Sequence, residues 1–257
     1  MIKEESRFAD STVFEGMTSI RALLDNLKEG KENARKIEKI LFDKEKEKSK
    51  ARELGYLKKM SELFGFELLG VTSNVIDSYT VGASHGGIIA LCSEKTYPKL
   101  TKENLVENGF YVMIEGIEDP YNFGYSVRSI YASGADGIII PPRNWMGVSG
   151  VVARSSAGTS ELIDMRVANA TEAIDIFKDC GYTVICAGIR DSESIFEAEL
   201  KKPLLVILGG EKRGISREVL NKADKIVRID YGRSFNGSLS TAASVAVFAF
   251  EISRVNR

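Results

Sequence analysis

The spacing of apolar residues predicts a small mixed unit in the first hundred residues. Residues 18–30 and 47–65 have the three-to-four spacing of amphipathic helices, and each ends at a glycine. Three strand-like runs, rich in β-branched residues and lying between turn formers, cover 35–43, 66–73 and 86–92. We therefore predict an α/β domain over residues 1–105, with the polar segment around Pro98 as the linker that follows it.

The remaining chain alternates apolar strands with helical patterns. Strand-like runs lie at 111–117, 137–141, 183–189, 203–210 and 225–230, and helical patterns lie at 122–133, 171–180 and 216–223. This alternation predicts a mostly parallel sheet covered on both faces, in a second domain over 106–257. The last helix, 238–254, is apolar on nearly every face, so it should be buried in the core or against a partner subunit.

Composition narrows the class of protein. No apolar run reaches the length of about 18 residues that a membrane span needs, and the first residues lack a signal-peptide core, so we expect a cytoplasmic protein with no membrane partner. The three scattered cysteines and the single histidine argue against a disulfide framework, a metal site and Ser-His-Asp chemistry.

One segment departs from the overall net charge of −1. Residues 28–59 contain twelve Lys or Arg and seven Asp or Glu, so they carry a net charge of +5. This pattern fits either a solvated helix face whose charges pair with one another or a local surface for nucleic acid. Under the second interpretation, the candidate RNA contacts are Lys31, Arg35, Lys36 and Lys39.

The sequence NFGYSVR, residues 122–128, follows a buried-looking strand and opens a helix. Asn122 is a residue type that caps helix starts, and Gly124 lies one turn before Arg128, where it would leave room beneath the guanidinium. A helix start with free N–H groups and a nearby Arg suits a phosphate. The alternative is that Asn122 only caps the helix and Arg128 pairs with a surface carboxylate.

Two further strands run into glycine- and serine-rich loops. LLVILGGEKRGIS, residues 204–216, has the strand–glycine turn–helix layout of a site at the carboxyl edge of a parallel sheet. It matches neither a Walker loop nor the GxGxxG turn that a Rossmann-type nucleotide enzyme would need. In the third stretch, residues 225–246, Ser238 or Ser240 can cap the last helix.

Taken in order, these three stretches resemble the motifs of the SpoU (TrmH-like) branch of the SPOUT RNA methyltransferases. Asn122 and Arg128 match the first motif, Glu211 stands in the second, and Ile229 with Leu239 matches the third. The resemblance covers 106–257. The first domain resembles the family's RNA-recognition domain, which is similar to a ribosomal RNA-binding fold, most specifically at ASHGGIIA, residues 83–90.

The resemblance implies a SPOUT-type trefoil knot, a homodimer, and transfer of a methyl group from S-adenosyl-L-methionine to a ribose 2′-hydroxyl of RNA. It places the catalytic role on Arg128, Asn122 and Glu211, with Glu211 ordering the second loop or the surroundings of Arg128. The implied cofactor-binding residues are Leu208, Gly209, Gly210, Ile229, Ser238, Leu239 and Ser240. Ribosomal RNA is the favoured substrate because of the first domain.

The third stretch departs from the family pattern. Ser240 stands where the family usually has Asn, and the loop before Leu239 is about one residue longer. These differences keep two alternatives open: an RNA-binding relative with weak or no methyl transfer, and a transfer-RNA 2′-O-methyltransferase.

Overall fold

The computed structural model describes residues 12–31, 34–80, 85–142, 149–234 and 236–257, and the chain forms two compact units. In chain order the helices are α1 Gly16–Lys28, α2 Ala51–Phe64, α3 Ser73–Tyr79, α4 Pro120–Ser133, α5 Ser149–Ser155, α6 Thr159–Leu162, α7 Ala170–Asp179, α8 Arg217–Lys222 and α9 Thr241–Val255. The strands are β1 Val13–Glu15, β2 Ile37–Asp43, β3 Glu67–Val71, β4 Ile88–Cys92, β5 Phe110–Glu115, β6 Gly137–Ile140, β7 Asp164–Val167, β8 Thr183–Ala187, β9 Glu193–Ser194, β10 Leu204–Gly209 and β11 Lys225–Arg228. Short 3-10 helices lie at Lys44–Lys46 and Lys102–Asn104.

The first unit is built on a four-stranded sheet in the order β1-β4-β2-β3. Strand β4 pairs antiparallel with β1 and β2, while β2 and β3 run parallel. Helix α1 buries Ile20, Leu23 and Leu24, which share one face at the three-to-four spacing read from the sequence. Helix α2 ends where Gly65 takes a φ of +75°, which confirms the predicted glycine stop.

The second unit contains a seven-stranded sheet in the order β7-β6-β5-β10-β8-β11-β9, and every pair in it is parallel. The central strands β5 and β10 are buried almost throughout, as a sheet covered on both faces requires. Helices α4 and α9 pack against each other. The predicted α/β class with a mostly parallel C-terminal sheet is therefore confirmed, although β7 and the short β9 were not anticipated.

The units divide the chain differently from the sequence boundary near residue 105. The first contains the described residues up to Thr96 together with 149–162, and the second begins at Tyr97. The segment expected as a linker belongs to the second unit because Leu100 is buried in its core. The Leu100 N–H donates to the Val167 carbonyl at the end of β7, and the Val167 N–H donates to the Pro98 carbonyl. Residues 149–162 belong with the first unit because Ala153 packs in that unit's core.

Two observations complete the fold. None of the helices among the described residues is both long and apolar enough to span a membrane. Of the stretch at 83–90, residues 83 and 84 lie outside the described residues. His85 is buried, and its Nδ1 accepts a hydrogen bond of 3.1 Å from the Gly87 N–H.

Candidate active site

The loops that follow β5 and β10 meet at the carboxyl edge of the parallel sheet. The register pairs Leu208 with Ile114 and Gly209 with Glu115, so both strands end at the same level. The Gly210 N–H then donates to the Glu115 carbonyl at 2.6 Å. A Cβ on Gly210 would lie 2.6 Å from the Ile117 nitrogen and closer still to the Gly116 carbonyl, so only glycine allows this approach.

The loop after β10 folds back on itself through its glycines. A Cβ on Gly209 would lie 2.7 Å from the Gly214 Cα, and Gly214 has a φ of +63°, where a side chain would be strained. The Glu115 carboxylate holds the far end of the loop by accepting a 3.0 Å hydrogen bond from the Ser216 N–H. The GGEKRG sequence therefore forms a compact turn whose shape depends on backbone contacts.

Glu211 joins the first and second motifs. Its Oε1 accepts a hydrogen bond of 3.3 Å from the Asn122 side-chain amide, and its Oε2 accepts one of 3.0 Å from the Glu118 N–H. An adjacent ion pair of 2.5 Å between Lys212 and Glu118 connects the same two loops. Of the two roles expected for Glu211, the geometry agrees with ordering the loops.

The start of α4 corrects the predicted role of Asn122 as a helix cap. The helix begins at Pro120, and the Asp119 carboxylate caps it by accepting hydrogen bonds from the N–H groups of Tyr121 and Asn122 at 2.7 and 3.0 Å. Asp followed by Pro is itself a helix-start signal in the sequence, because Asp accepts from the first turn and Pro suits the first helical position. The Asn122 side chain is thereby available to Glu211.

Arg128 lies on the exposed face of α4. Within the described parts of the chain it makes no hydrogen bond or ion pair, so the alternative of a structural pair with a surface carboxylate finds no support there. Gly124 is buried on the same helix, and the predicted opening beneath the guanidinium stays a prediction. Arg128 therefore presents an uncompensated cation to solvent on the helix that carries Asn122.

The third motif reaches the same edge of the sheet. Ser240 caps α9, and its hydroxyl accepts from the Ala243 N–H at 3.3 Å, which decides between the two predicted caps. The next residue, Thr241, donates from its hydroxyl to the Gly209 carbonyl at 3.4 Å. Leu239 is fixed through its N–H, which donates to the Tyr231 hydroxyl at 3.1 Å. The start of α9 therefore contacts the end of β10.

The other residues predicted to contact S-adenosyl-L-methionine lie at or near the same edge of the sheet. Leu208 is buried in β10, Ile229 is half-buried directly after β11, and Ser238 is exposed in the loop before α9. In the sheet β8 separates β10 from β11, so Ile229 lies at the same edge two strands away from Gly209. The three motifs, widely separated in sequence, thus converge on one edge.

The candidate RNA contacts lie in the first unit and do not all reach its surface. Lys36 and Lys39 are exposed, and Lys39 pairs loosely with Glu67 at 3.5 Å. Lys31 is also exposed and donates to the Leu162 carbonyl at 2.7 Å. Arg35 is a correction, because it is only 3% exposed and its guanidinium is held by Glu161 at 3.2 Å.

Several contributors were not predicted from the sequence. Glu115, Glu118 and Asp119 arrange the loops, and only Asp119 carried a local signal. The role of Glu115 depends on a loop about a hundred residues later, so no short pattern reveals it. Among the described residues, no group of three His, Cys, Asp or Glu side chains could hold a metal ion.

Comparison with known proteins points to one family. A sequence model of the SpoU rRNA Methylase family matches residues 109–250. A Staphylococcus haemolyticus protein assigned to the TrmH family of tRNA/rRNA methyltransferases is 32% identical over 181 residues, which covers 67% of this chain and 71% of that protein.

Solved structures agree with this fold over nearly the whole chain. An AdoMet-bound rRNA methyltransferase from Sinorhizobium meliloti superposes with a TM-score of 0.77 at 20% identity, covering 98% of this chain and 94% of that one. An RNA 2′-O ribose methyltransferase superposes with a TM-score of 0.76 at 23% identity, covering 98% and 95%.

Proposed function

Since the chain belongs to the SpoU rRNA methylase family, we propose that this RNA methyltransferase transfers a methyl group from S-adenosyl-L-methionine to a ribose 2′-hydroxyl. The observation that carries the proposal is the hydrogen bond from Asn122 to Glu211. It joins the first and second motifs at the edge where Thr241 also binds the Gly209 carbonyl. A solved relative described as a 2′-O ribose methyltransferase supports the choice of acceptor.

When bound, S-adenosyl-L-methionine would supply a sulfonium methyl group: its S–CH₃ bond would break as the O–CH₃ bond forms, S-adenosyl-L-homocysteine would leave, and the hydroxyl proton would need an acceptor. The protein must align the two reacting atoms and exclude competing water. Arg128 has no partner among the described residues, and its guanidinium can hold a substrate phosphate in bidentate fashion. Because a guanidinium keeps its proton very tightly, we assign Arg128 to positioning that phosphate, which can itself accept the proton.

The loops fit the cofactor through backbone groups more than through charged side chains. Gly209 and Gly210 place their backbones where any Cβ would clash, so the loop surface there is bare peptide. Ile229 and Leu239 are half-buried and can cover an apolar ring, while Ser238 and Ser240 offer hydroxyls at the loop surface. This set is suited to a ligand held by shape and backbone hydrogen bonds.

The first unit is proposed to recognise the RNA. Lys31, Lys36 and Lys39 are exposed cations on it, whereas Arg35 has a structural role. Ribosomal RNA is the proposed substrate class, since one solved relative that covers both units is described as an rRNA methyltransferase. The curated relative's description includes both tRNA and rRNA, so transfer RNA is the competing substrate.

The test is transfer of radiolabelled methyl from S-adenosylmethionine to purified ribosomal RNA and, separately, to transfer RNA. Labelled nucleotides should resist alkaline cleavage on their 3′ side, because a 2′-O-methyl group blocks that reaction. Arg128→Ala should bind the donor as the wild type does and lose most transfer, and Arg128→Lys should recover little because an ammonium lacks the planar fork.

Three outcomes contradict parts of the proposal. Label that is recovered in mononucleotides after alkaline hydrolysis would show methylation at another atom. Full activity of Arg128→Ala would remove its assigned role. RNA binding without donor binding would favour the alternative of a binding-only relative.

A further inference from the structure

A cavity of about 310 Å³ lies within the first unit, at the start of α1. Its wall combines residues 16–19 with Lys50, His85 and Arg154, which come from four separate parts of the chain. The volume lies at the lower end of the range for small-ligand sites, so it can admit a phosphate together with part of a sugar. The cavity belongs to the first unit, whereas the three motifs lie in the second.

The first turn of α1 offers backbone donors to this cavity. The helix has thirteen residues, and its N-cap residue, Glu15, makes no side-chain capping hydrogen bond. The first N–H groups of a helix have no partner within the helix, and they concentrate partial positive charge at its start. An anion is the ligand that such an uncapped end favours.

Ser19 is the independent sign of a ligand. It lines the cavity, is only 2% exposed, and its hydroxyl makes no hydrogen bond within the described parts of the chain. Without such a partner, the hydroxyl remains able to donate to a ligand. An acceptor oxygen inside the cavity would satisfy it.

The charged side chains on the wall are mostly cationic. Lys50 pairs with Glu53 at 3.2 Å and Arg154 pairs with Glu15 at 3.1 Å, and all four side chains keep some contact with solvent. Among the described wall residues Glu15 is the one carboxylate, and Arg154 already offsets its charge. Lys50 shares its charge with Glu53, so the positive potential comes mainly from the helix start, to which the Lys50 ammonium adds N–H donors.

We propose that this cavity binds one phosphate group of the RNA backbone, between the start of α1, the Ser19 hydroxyl and Lys50. The inference rests on the proposed function and extends it, because it adds a specific RNA contact in the first unit. A free nucleotide has the same phosphate chemistry, but RNA is favoured because the exposed Lys36 and Lys39 lie in the same unit and suit a longer polyanion.

The test compares three variants of the full-length protein by fluorescence anisotropy with labelled ribosomal RNA over a range of salt concentrations. Ser19→Ala removes the hydroxyl without changing charge and should weaken RNA binding about threefold to tenfold. Lys50→Gln should weaken it similarly and reduce the salt slope by about one phosphate contact. The matched control is Lys201→Gln, which removes a lysine from a 3.3 Å pair with Glu199 in the second unit and should leave RNA binding unchanged.

Separate arms identify the source of the phosphate and guard against misfolding. Thermal melting of each variant, and calorimetric binding of S-adenosylmethionine, should match the wild type. Inorganic phosphate and adenosine 5′-monophosphate, titrated at constant ionic strength, should bind only weakly, with millimolar affinity.

Each contrary result would lead to a different conclusion. Wild-type RNA affinity in both Ser19→Ala and Lys50→Gln would overturn the cavity proposal while leaving the methyltransferase proposal intact. Micromolar binding of the free mononucleotide would assign the cavity to a small ligand and overturn the RNA assignment. A wild-type protein that binds neither ribosomal RNA nor the donor would defeat the proposed function itself.

Discussion

At the residue scale, the most deeply buried ion pairs described in the chain form a charge cluster in the first unit. Glu161 lies 3.2 Å from Arg35 and 3.5 Å from Lys95, and all three side chains are at most 3% exposed. Burial lowers the pKa of Lys95, and the neighbouring carboxylate of Glu161 partly offsets that effect. The cluster connects α6 to residues more than sixty positions earlier in the chain.

We expect Glu161→Gln to destabilise the protein by about 3–5 kcal/mol, because it leaves two buried cations without their carboxylate. Urea unfolding measures the change. The control, Glu199→Gln, breaks a pair whose side chains are 65% and 76% exposed and should cost less than about 1 kcal/mol. Equal effects of the two substitutions would show that burial does not set the strength of the cluster.

A second residue-scale prediction concerns Tyr182, which packs edge-on against Phe177 and whose hydroxyl contacts the Val106 carbonyl. Burial raises its pKa to about 12. Between the ordinary tyrosine pKa of about 10 and this value, the unfolded chain has lost the proton and the folded chain has kept it, so stability falls as pH rises. Tyr182→Phe should reduce the pH dependence of the free energy of unfolding in this range by the equivalent of up to about one proton. Urea midpoints from pH 9 to 12 provide the measurement, and identical slopes would contradict it.

At the element scale, the junction of the loops after β5 and β10 depends on glycine. Gly210→Ala places a methyl group against the backbone of Gly116 and Ile117, so we expect a loss of about 1–3 kcal/mol and a severe loss of donor binding. Melting and calorimetry with S-adenosylmethionine test both. Gly232→Ala is the control for stability, because its Cβ would have nothing within 4 Å, and it should melt as the wild type does. Normal binding of S-adenosylmethionine by Gly210→Ala would show that the cofactor site does not need the close contact between the loops after β5 and β10.

The elements also show which features the sequence could predict. Helices α1 and α2 and the buried strand β10 are governed by local spacing, so their periodicity identified them. The motif residues were found from the resemblance to the SpoU motifs, whose three stretches each run from a strand into a loop or helix. Arg35 was misassigned because its partner Glu161 is 126 positions away, and a basic residue in a charged stretch looks the same whether it is exposed or buried.

At the scale of the whole molecule, two long-range features escaped prediction for the same reason. Residues 149–162 pack with the first unit although they lie between β6 and β7 of the second, so domain membership does not follow chain order. The trefoil knot remains a prediction, since it concerns the threading of loops and leaves no trace in apolar spacing. Local patterns determine elements well, whereas contacts across a hundred residues need the folded structure.

Dimer formation is the last prediction, and it follows from the two faces of α9. One face of the helix is buried and contains Thr241, Val245, Phe248 and Ile252. Another face carries an apolar stripe of residues spaced one turn apart: Ala243, Val247 and Phe250, of which Phe250 is 47% exposed. We propose that a second copy of the chain covers this stripe. Phe250→Glu should then shift the mass in light scattering from a dimer to the 28.3 kDa monomer and reduce methyl transfer in parallel. Phe196→Glu, at a residue 62% exposed elsewhere in the second unit, is the control and should remain dimeric. A wild-type protein that is monomeric at micromolar concentration, or a Phe250→Glu variant that stays dimeric, would move the interface away from α9.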